Sequence, residues 1–255
     1  IVKWNRGTYK AAFICQWAEE GGFFASFVKG GVQMEHRVPH KMPHTMLLHG
    51  LGQNSDSWKQ VIDCLPTEQK ELLHTPDLFA LSEEISYEGL YRGWEQSCQK
   101  LPGRLHLCGL SLGAVLALDY TIRHPQRVES LVLIAGQYRS PKFLLSVQSL
   151  LLSLMPASNF AQLGISKEQM LRLNRSMIPL DLSRQLSTVR CPVLLLCGEQ
   201  DKVNRKASEQ MLRLLPNARK REIAGAAHEV NLQAPQQLAK ELSAFWEGLP
   251  KSSDL

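Results

Sequence analysis

The chain has 255 residues, 44% hydrophobic and 21% charged, which is enough apolar side chain for one large core and too much for extensive disorder. The formal charge of +5 is spread thinly, and its densest knot, Arg219-Lys220-Arg221 with Arg213 nearby, lacks interleaved aromatics. It therefore reads as a solvated helix end and the strand after it, which argues against nucleic-acid binding.

At the amino terminus Lys3, Arg6 and Lys10 precede a short apolar stretch, as in a signal peptide, but Gln16, Glu19 and Glu20 interrupt it too soon. Residues 1–22 are read as an extension, residues 23–255 as one domain, and the protein as cytoplasmic. Phe23 to Val28 and Val32 to Val38 flank Lys29-Gly30-Gly31, the pattern of a two-stranded hairpin feeding a sheet. The alternative is a chain start at Met34, with residues 1–33 as an unstructured leader. The histidines His36, His40, His44 and His49 recur at near-helical spacing, but Pro39 and Pro43 forbid a regular helix there, so the first three are expected to be solvated loop residues and not a metal site, and His49 belongs to a motif at the end of the next strand.

From residue 45 onward, apolar strands alternate with helical stretches, the order that builds a parallel sheet covered on both faces. Thr45 to His49 reads as a buried strand and Glu71 to Pro76 as a weaker one. Helical spacing runs from Tyr87 to Leu101 and stops at Pro102-Gly103, a strand follows over Arg104 to Gly109, and a helix spans Leu112 to His124 before Pro125. Val128 to Ala135 and Pro192 to Cys197 are further buried strands; Arg221 to Ile223 is a short one, and Pro235 to Trp246 an amphipathic helix.

The alternation lapses between Gly136 and Val189. Lys142 to Met155 is apolar almost all round, so it is expected to be covered on most sides, as a cap over the sheet edge spanning about residues 137–189. It is too short to cross a bilayer, which needs about 20 residues.

Six cysteines (Cys15, Cys64, Cys98, Cys108, Cys191, Cys197) are far apart and form no CxxC pair, so they read as free thiols. Cys108 is expected in the sheet packing, and Trp58 and Trp94 are expected to pack and not to face a substrate.

The sharpest motif is Gly109-Leu110-Ser111-Leu112-Gly113, between a strand and a helix. This context marks a nucleophile elbow, a turn so tight that a Cβ two residues either side of the serine would clash. A plainer reading makes Ser111 a helix cap. His49-Gly50-Leu51-Gly52 follows the first buried strand, Gly198-Glu199-Gln200-Asp201 follows the strand at 192–197, and Gly225-Ala226-Ala227-His228 follows the last short strand. HEVNL at 228–232 has Leu232 where a zinc-protease helix needs its second histidine, so that motif fails.

On these motifs the sequence resembles the α/β-hydrolase family from about residue 23 to 248. The resemblance implies an α/β-hydrolase fold: a mostly parallel central sheet, helices on both faces and a short helical cap. It also implies Ser111 as nucleophile, His228 as general base and Asp201 as the acid orienting it, with Gly109 and Gly113 shaping the elbow. The backbone N–H groups of Leu51 and Leu112 would form the oxyanion hole. Glu199 is the other candidate acid, but it lies two residues nearer the strand.

Expected chemistry is hydrolysis of a carboxylic ester of an apolar acyl group, or of a thioester, through an acyl-serine. The partner would be a small acyl substrate, and no metal or other cofactor is suggested. Carbon–carbon bond hydrolysis, perhydrolysis and a slow or non-catalytic binding protein on the same scaffold remain alternatives. Pro76 to Ser82 departs from the family, whose members usually carry a glycine-rich turn there.

Overall fold

The computed structural model describes residues 43–140, 142–161 and 164–250, together with the strands Ala25–Val28 (β1) and Gly31–Met34 (β2). The chain falls into two units, residues 1–42 and 43–254. In the first, β1 and β2 pair antiparallel in a two-stranded sheet, Ala25 opposite Met34 and Val28 opposite Gly31. The expected turn residues Lys29 and Gly30, the boundary at 22/23, His36 and His40 lie outside the described residues.

The second unit is built on six strands: His44–Leu48 (β3), Leu73–His74 (β4), Leu105–Leu110 (β5), Val128–Ile134 (β6), Val193–Gly198 (β7) and Ala218–Ile223 (β8). Their order is β4-β3-β5-β6-β7-β8 and every pairing is parallel. Because alternate side chains leave opposite faces of a strand, continuous apolar runs feed two cores at once. Met46, Leu48, Leu107, Leu133 and Leu195 join one core. Leu47, Cys108, Val132, Leu194 and Leu196 join the other.

Helices cover both faces. Tyr87–Gln99 (α1) and Leu112–Arg123 (α2) bring Leu90, Trp94 and Leu116 to the first core, with Met211 of Lys202–Leu214 (α5). On the other face Pro235–Glu247 (α6) contributes Leu238, Leu242 and Phe245, beside Trp58 and Val61. Trp58 and Trp94 are both fully buried, as packing residues should be.

Two expectations are corrected here. Arg213 stands in the last turn of α5 as expected, but Arg219, Lys220 and Arg221 all lie inside β8, a strand twice as long as expected. As the last strand of the sheet, β8 carries charge, and Lys220 Nζ lies 2.8 Å from Glu222 and 3.3 Å from Glu209. Charge on an edge strand discourages pairing with another chain, and it breaks the apolar pattern by which a strand is recognised. His44 likewise belongs to β3 and not to a loop; its Nδ1 lies 2.9 Å from His74 Nε2 on the neighbouring strand.

Between β6 and β7 stand Lys142–Leu154 (α3) and Lys167–Met177 (α4), the latter opened by a reciprocal capping box of Ser166 and Gln169. This segment rises from the middle of the sheet and not from its edge. Its two roots are tied where Leu182 N–H donates to the Tyr138 carbonyl (2.8 Å) and Ser140 N–H to the Leu180 carbonyl (3.0 Å). Asn174 of α4 donates to the Leu145 carbonyl at 2.8 Å and holds α3 in place. Contrary to expectation α3 is not covered on most sides: Leu150, Leu151 and Leu154 are 62%, 57% and 74% exposed.

Where relatives carry a glycine-rich turn, this chain has a short 3₁₀ helix over Leu78–Leu81, capped by Asp77, which accepts from Phe79 N–H at 3.1 Å. The glycine it needs is on the facing helix instead: a Cβ on Gly93 would sit 2.2 Å from the Leu81 carbonyl oxygen. Gly93→Ala should therefore lower the unfolding free energy by about 1–3 kcal/mol, the usual cost of overpacking, measured by urea denaturation. An unchanged midpoint would show that the helix and turn can separate freely.

Candidate active site

Ser111 ends β5 and begins α2 in a conformation that side chains rarely adopt, with φ 53° and ψ −109°. Such a backbone costs of order 1–3 kcal/mol and survives only where its surroundings hold it. Here they do. The Ser111 N–H donates to the Ile134 carbonyl at 2.9 Å, and the flanking glycines let the turn close. A Cβ on Gly109 would meet the Gly113 carbonyl oxygen at 2.2 Å, and one on Gly113 the Leu48 carbonyl oxygen at 2.4 Å. The Ser111 side chain makes no capping hydrogen bond to α2, which removes the helix-cap reading.

At the end of β7, Asp201 caps α5 by accepting from Asn204 N–H at 3.2 Å. Its Oδ2 also lies 2.8 Å from His228 Nδ1, while the two side chains are 8% and 45% exposed respectively. A carboxylate only accepts, so Nδ1 carries a proton, and in the neutral ring it is Nε2 that keeps the lone pair. Burial alone would raise the Asp201 carboxyl, but hydrogen bonds from His228 and Asn204 outweigh it and hold the group below its ordinary value. Glu199, the other candidate acid, is exposed and instead accepts from Gly225 N–H at 2.9 Å.

The loop after β3 is fixed by His49, fully buried, whose Nδ1 lies 2.9 Å from the Gly50 carbonyl and whose Nε2 accepts from Leu78 N–H at 3.0 Å. Those two partners demand one neutral tautomer. Burial is the main cause holding its pKa below the ordinary histidine value. Next to it, Gln53 Oε1 accepts from Gly50 N–H at 3.3 Å and from Asn231 at 3.1 Å, while Gln53 Nε2 donates to Glu229 at 3.1 Å. A buried amide pair thus joins the loop of Leu51 to that of His228.

Ser111, Asp201, His228, Leu51 and Leu112 all line one cavity of about 520 Å³. Its floor comes from the carboxyl ends of the middle strands, where open α/β sheets bind ligands, and its far wall from Leu145, Leu151, Met177 and Leu180 of the inserted segment. Gln137, Arg139 and Asn174 add polarity to a mainly apolar lining. Cys108 lies in the sheet core, and burial raises its thiol far above the ordinary range. Among the described residues no group of three or more His, Cys, Asp or Glu is arranged to hold a metal ion, and no helix is long and apolar enough to cross a membrane.

Reading by residue type missed the amides. Asn204 stands three residues after Asp201, a local spacing that a helix-cap argument could have found; Gln53, Gln137 and Asn231 give no such signal, because their partners are far away in the chain.

The model of the alpha/beta hydrolase family matches residues 46–241. The chain belongs to that family. Among curated members, it is 34% identical over 96 residues to a pimeloyl-[acyl-carrier protein] methyl ester esterase of Nitrosomonas europaea, covering 37% of either chain. It is 28% identical over 252 residues to the biotin biosynthesis bifunctional protein BioHC of Cellvibrio japonicus, covering 83% of this chain and 49% of that one. The chain thus spans half or less of the length of these curated relatives. A solved structure, that of a thermophilic esterase from Thermogutta terrifontis, superposes with a TM-score of 0.67 at 18% identity, over 89% of this chain and 98% of that one. At that identity the likeness is one of fold.

Because His49 is neutral and buried, protons taken up by the unfolded chain below about pH 6.5 work against folding. The stability that His49 confers over a His49→Asn variant should be full above pH 7. It should shrink as pH falls through 6.5 toward the depressed native value, as urea midpoints taken across pH 5–8 would report. A constant difference would mean that His49 titrates alike in both states.

Proposed function

We propose that the protein is a carboxylic ester hydrolase that works through an acyl-Ser111 intermediate. The observation that carries this reading is the 2.8 Å bond between Asp201 and His228 Nδ1, which leaves Nε2 as a base on the cavity that Ser111 also lines. His228 Nε2 would take the Ser111 hydroxyl proton as the oxygen attacks the ester carbonyl. Asp201 would hold the imidazole in the tautomer needed and stabilise the imidazolium that forms. The backbone N–H groups of Leu51 and Leu112 would receive the developing oxyanion, and His228 would return its proton to the departing alcohol. Water, activated by the same nitrogen, would then release the acid and free Ser111.

The family alone does not choose among ester, thioester and carbon–carbon substrates, since one fold hosts many reactions. Esterase activity is favoured by the likeness to the methyl ester esterase of Nitrosomonas europaea, and an apolar acyl group by the leucine and methionine wall. A small ester with an acyl chain of several carbons fits both.

A fluorophosphonate probe should label Ser111, located by mass spectrometry, and Ser111→Ala should lose both the label and at least about 10⁴-fold of kcat on p-nitrophenyl butyrate. Tight binding of the ester without labelling or turnover would favour a binding protein on this scaffold. Across p-nitrophenyl acetate, butyrate and octanoate, kcat/KM should rise from acetate to the longer chains; a flat series would remove the apolar-acyl part of the reading.

A further inference from the structure

Asp201 Oδ2 accepts from a second donor besides His228: the Asn204 amide Nδ2, at 2.7 Å. The same amide nitrogen stands 3.2 Å from His228 Nδ1, a proximity of two donors and not a bond between them, since both give a proton to Oδ2. Because a carboxylate cannot donate, the orientation of the Asn204 amide is unambiguous, and its Oδ1 must face a donor. That donor is Gln137 Nε2 at 2.6 Å. Asn204 is 8% exposed, and both amides line the cavity. The chain Gln137–Asn204–Asp201–His228 thus runs from the segment after β6 to the base, with each link in hydrogen-bond range.

We infer that Asn204 is a positioning residue for the reaction proposed above, held in register by Gln137, and that it sets both the rotamer of the Asp201 carboxylate and how strongly His228 holds a proton. The inference rests on the acyl-serine reading. Its chemistry is a sharing of charge: each hydrogen bond that Oδ2 accepts from Asn204 withdraws electron density that would otherwise stabilise the imidazolium. Without Asn204 the carboxylate would be freer to rotate and also a stronger acceptor. Turnover falls through the first effect, and the His228 imidazolium persists to higher pH through the second.

Other titratable groups nearby have partners of their own. Glu199 accepts from Gly225, Arg205 lies 3.3 Å from Glu222, Glu229 accepts from Gln53, and burial pushes the Cys197 thiol up to about 12. Lys202 adjoins Asp201, and Arg139 shares the cavity. Substituting Asn204 or Gln137 leaves all of them in place.

The test compares wild type, Asn204→Ala, Gln137→Ala and the double variant in p-nitrophenyl butyrate turnover from pH 5 to 9 and in the rate of fluorophosphonate labelling, with thermal melts to confirm folding. Asn204→Ala should lower kcat about tenfold with KM within about twofold, the size expected for one hydrogen bond to a charged group. The acid limb of kcat/KM should move to higher pH by roughly half a unit. Gln137→Ala should shift both in the same direction by less, and should add nothing in the Asn204→Ala background, since it acts only through Asn204. An acid limb that stays put in folded Asn204→Ala, or full additivity of the two substitutions, overturns the inference while the wild type still labels at Ser111. Absence of labelling and turnover in the wild type overturns the acyl-serine reading and this inference together.

Discussion

Everything at the site hangs on the turn at Ser111, a left-handed, strained residue clamped between two layers of main chain. Below it Gly113 lies against the Leu48 carbonyl so closely that a side-chain carbon would overlap it, and beside it the Ser111 N–H is spent on the Ile134 carbonyl of β6. The turn is thereby held by three strands at once, β3, β5 and β6. Conformations of this kind persist only where the surrounding packing over-determines them. Two cores, one on each face of the same strands, supply that packing, so the strain is carried by the whole sheet.

The remaining pieces must be set relative to that turn, and they stand on loops, which hydrophobic packing locates only coarsely. The structure uses buried amides as spacers. Gln53 and Asn231 exchange hydrogen bonds across 178 positions of chain, tying the loop after β3 to the one that carries His228. The half-buried Gln137 makes a single such link, donating to the Asn204 amide oxygen across 67 positions between the end of β6 and α5. A side-chain amide can donate and accept together without a net charge, so it spans such gaps at a smaller desolvation cost than an ion pair. His49 plays the equivalent part as a neutral ring, accepting from one loop while it bonds its own.

This division of labour explains what could be read from the amino-acid order and what could not. The strands from β3 to β7 and the helices α1, α2 and α6 are legible, because each is a local pattern of apolar residues closed by a proline, a glycine or a cap, whereas α4 and α5 go unread. So is the elbow, whose glycines are needed at fixed offsets from Ser111. The edge strand β8 is mostly hidden, since an edge must carry charge and Arg219, Lys220 and Arg221 imitate a solvated surface. The inserted helix α3 misleads for the opposite reason: its leucines predict cover on most sides, yet Leu150 and Leu154 face outward while Leu145 and Leu151 line the cavity. Apolar character says that a residue can be buried and not that it is.

The amides illustrate a deeper limit. Serine, histidine and aspartate in the right order advertise chemistry, because few side chains can serve as nucleophile, base and acid. An asparagine or glutamine advertises nothing, for it is equally at home on a wet surface, and its meaning is given only by the partner that the fold delivers. Asn204 is the intermediate case. Its backbone bond to Asp201 belongs to the local geometry of a helix start, so its presence near the acid follows from spacing. That its side chain turns back to the same carboxylate depends on Gln137, which arrives from the segment after β6 to satisfy the amide oxygen. Without that remote donor, the buried oxygen would lose a bond worth keeping, and an outward rotamer would compete. The orientation of the carboxylate is thus a tertiary property of the fold, carried by residues whose types alone would never have singled them out.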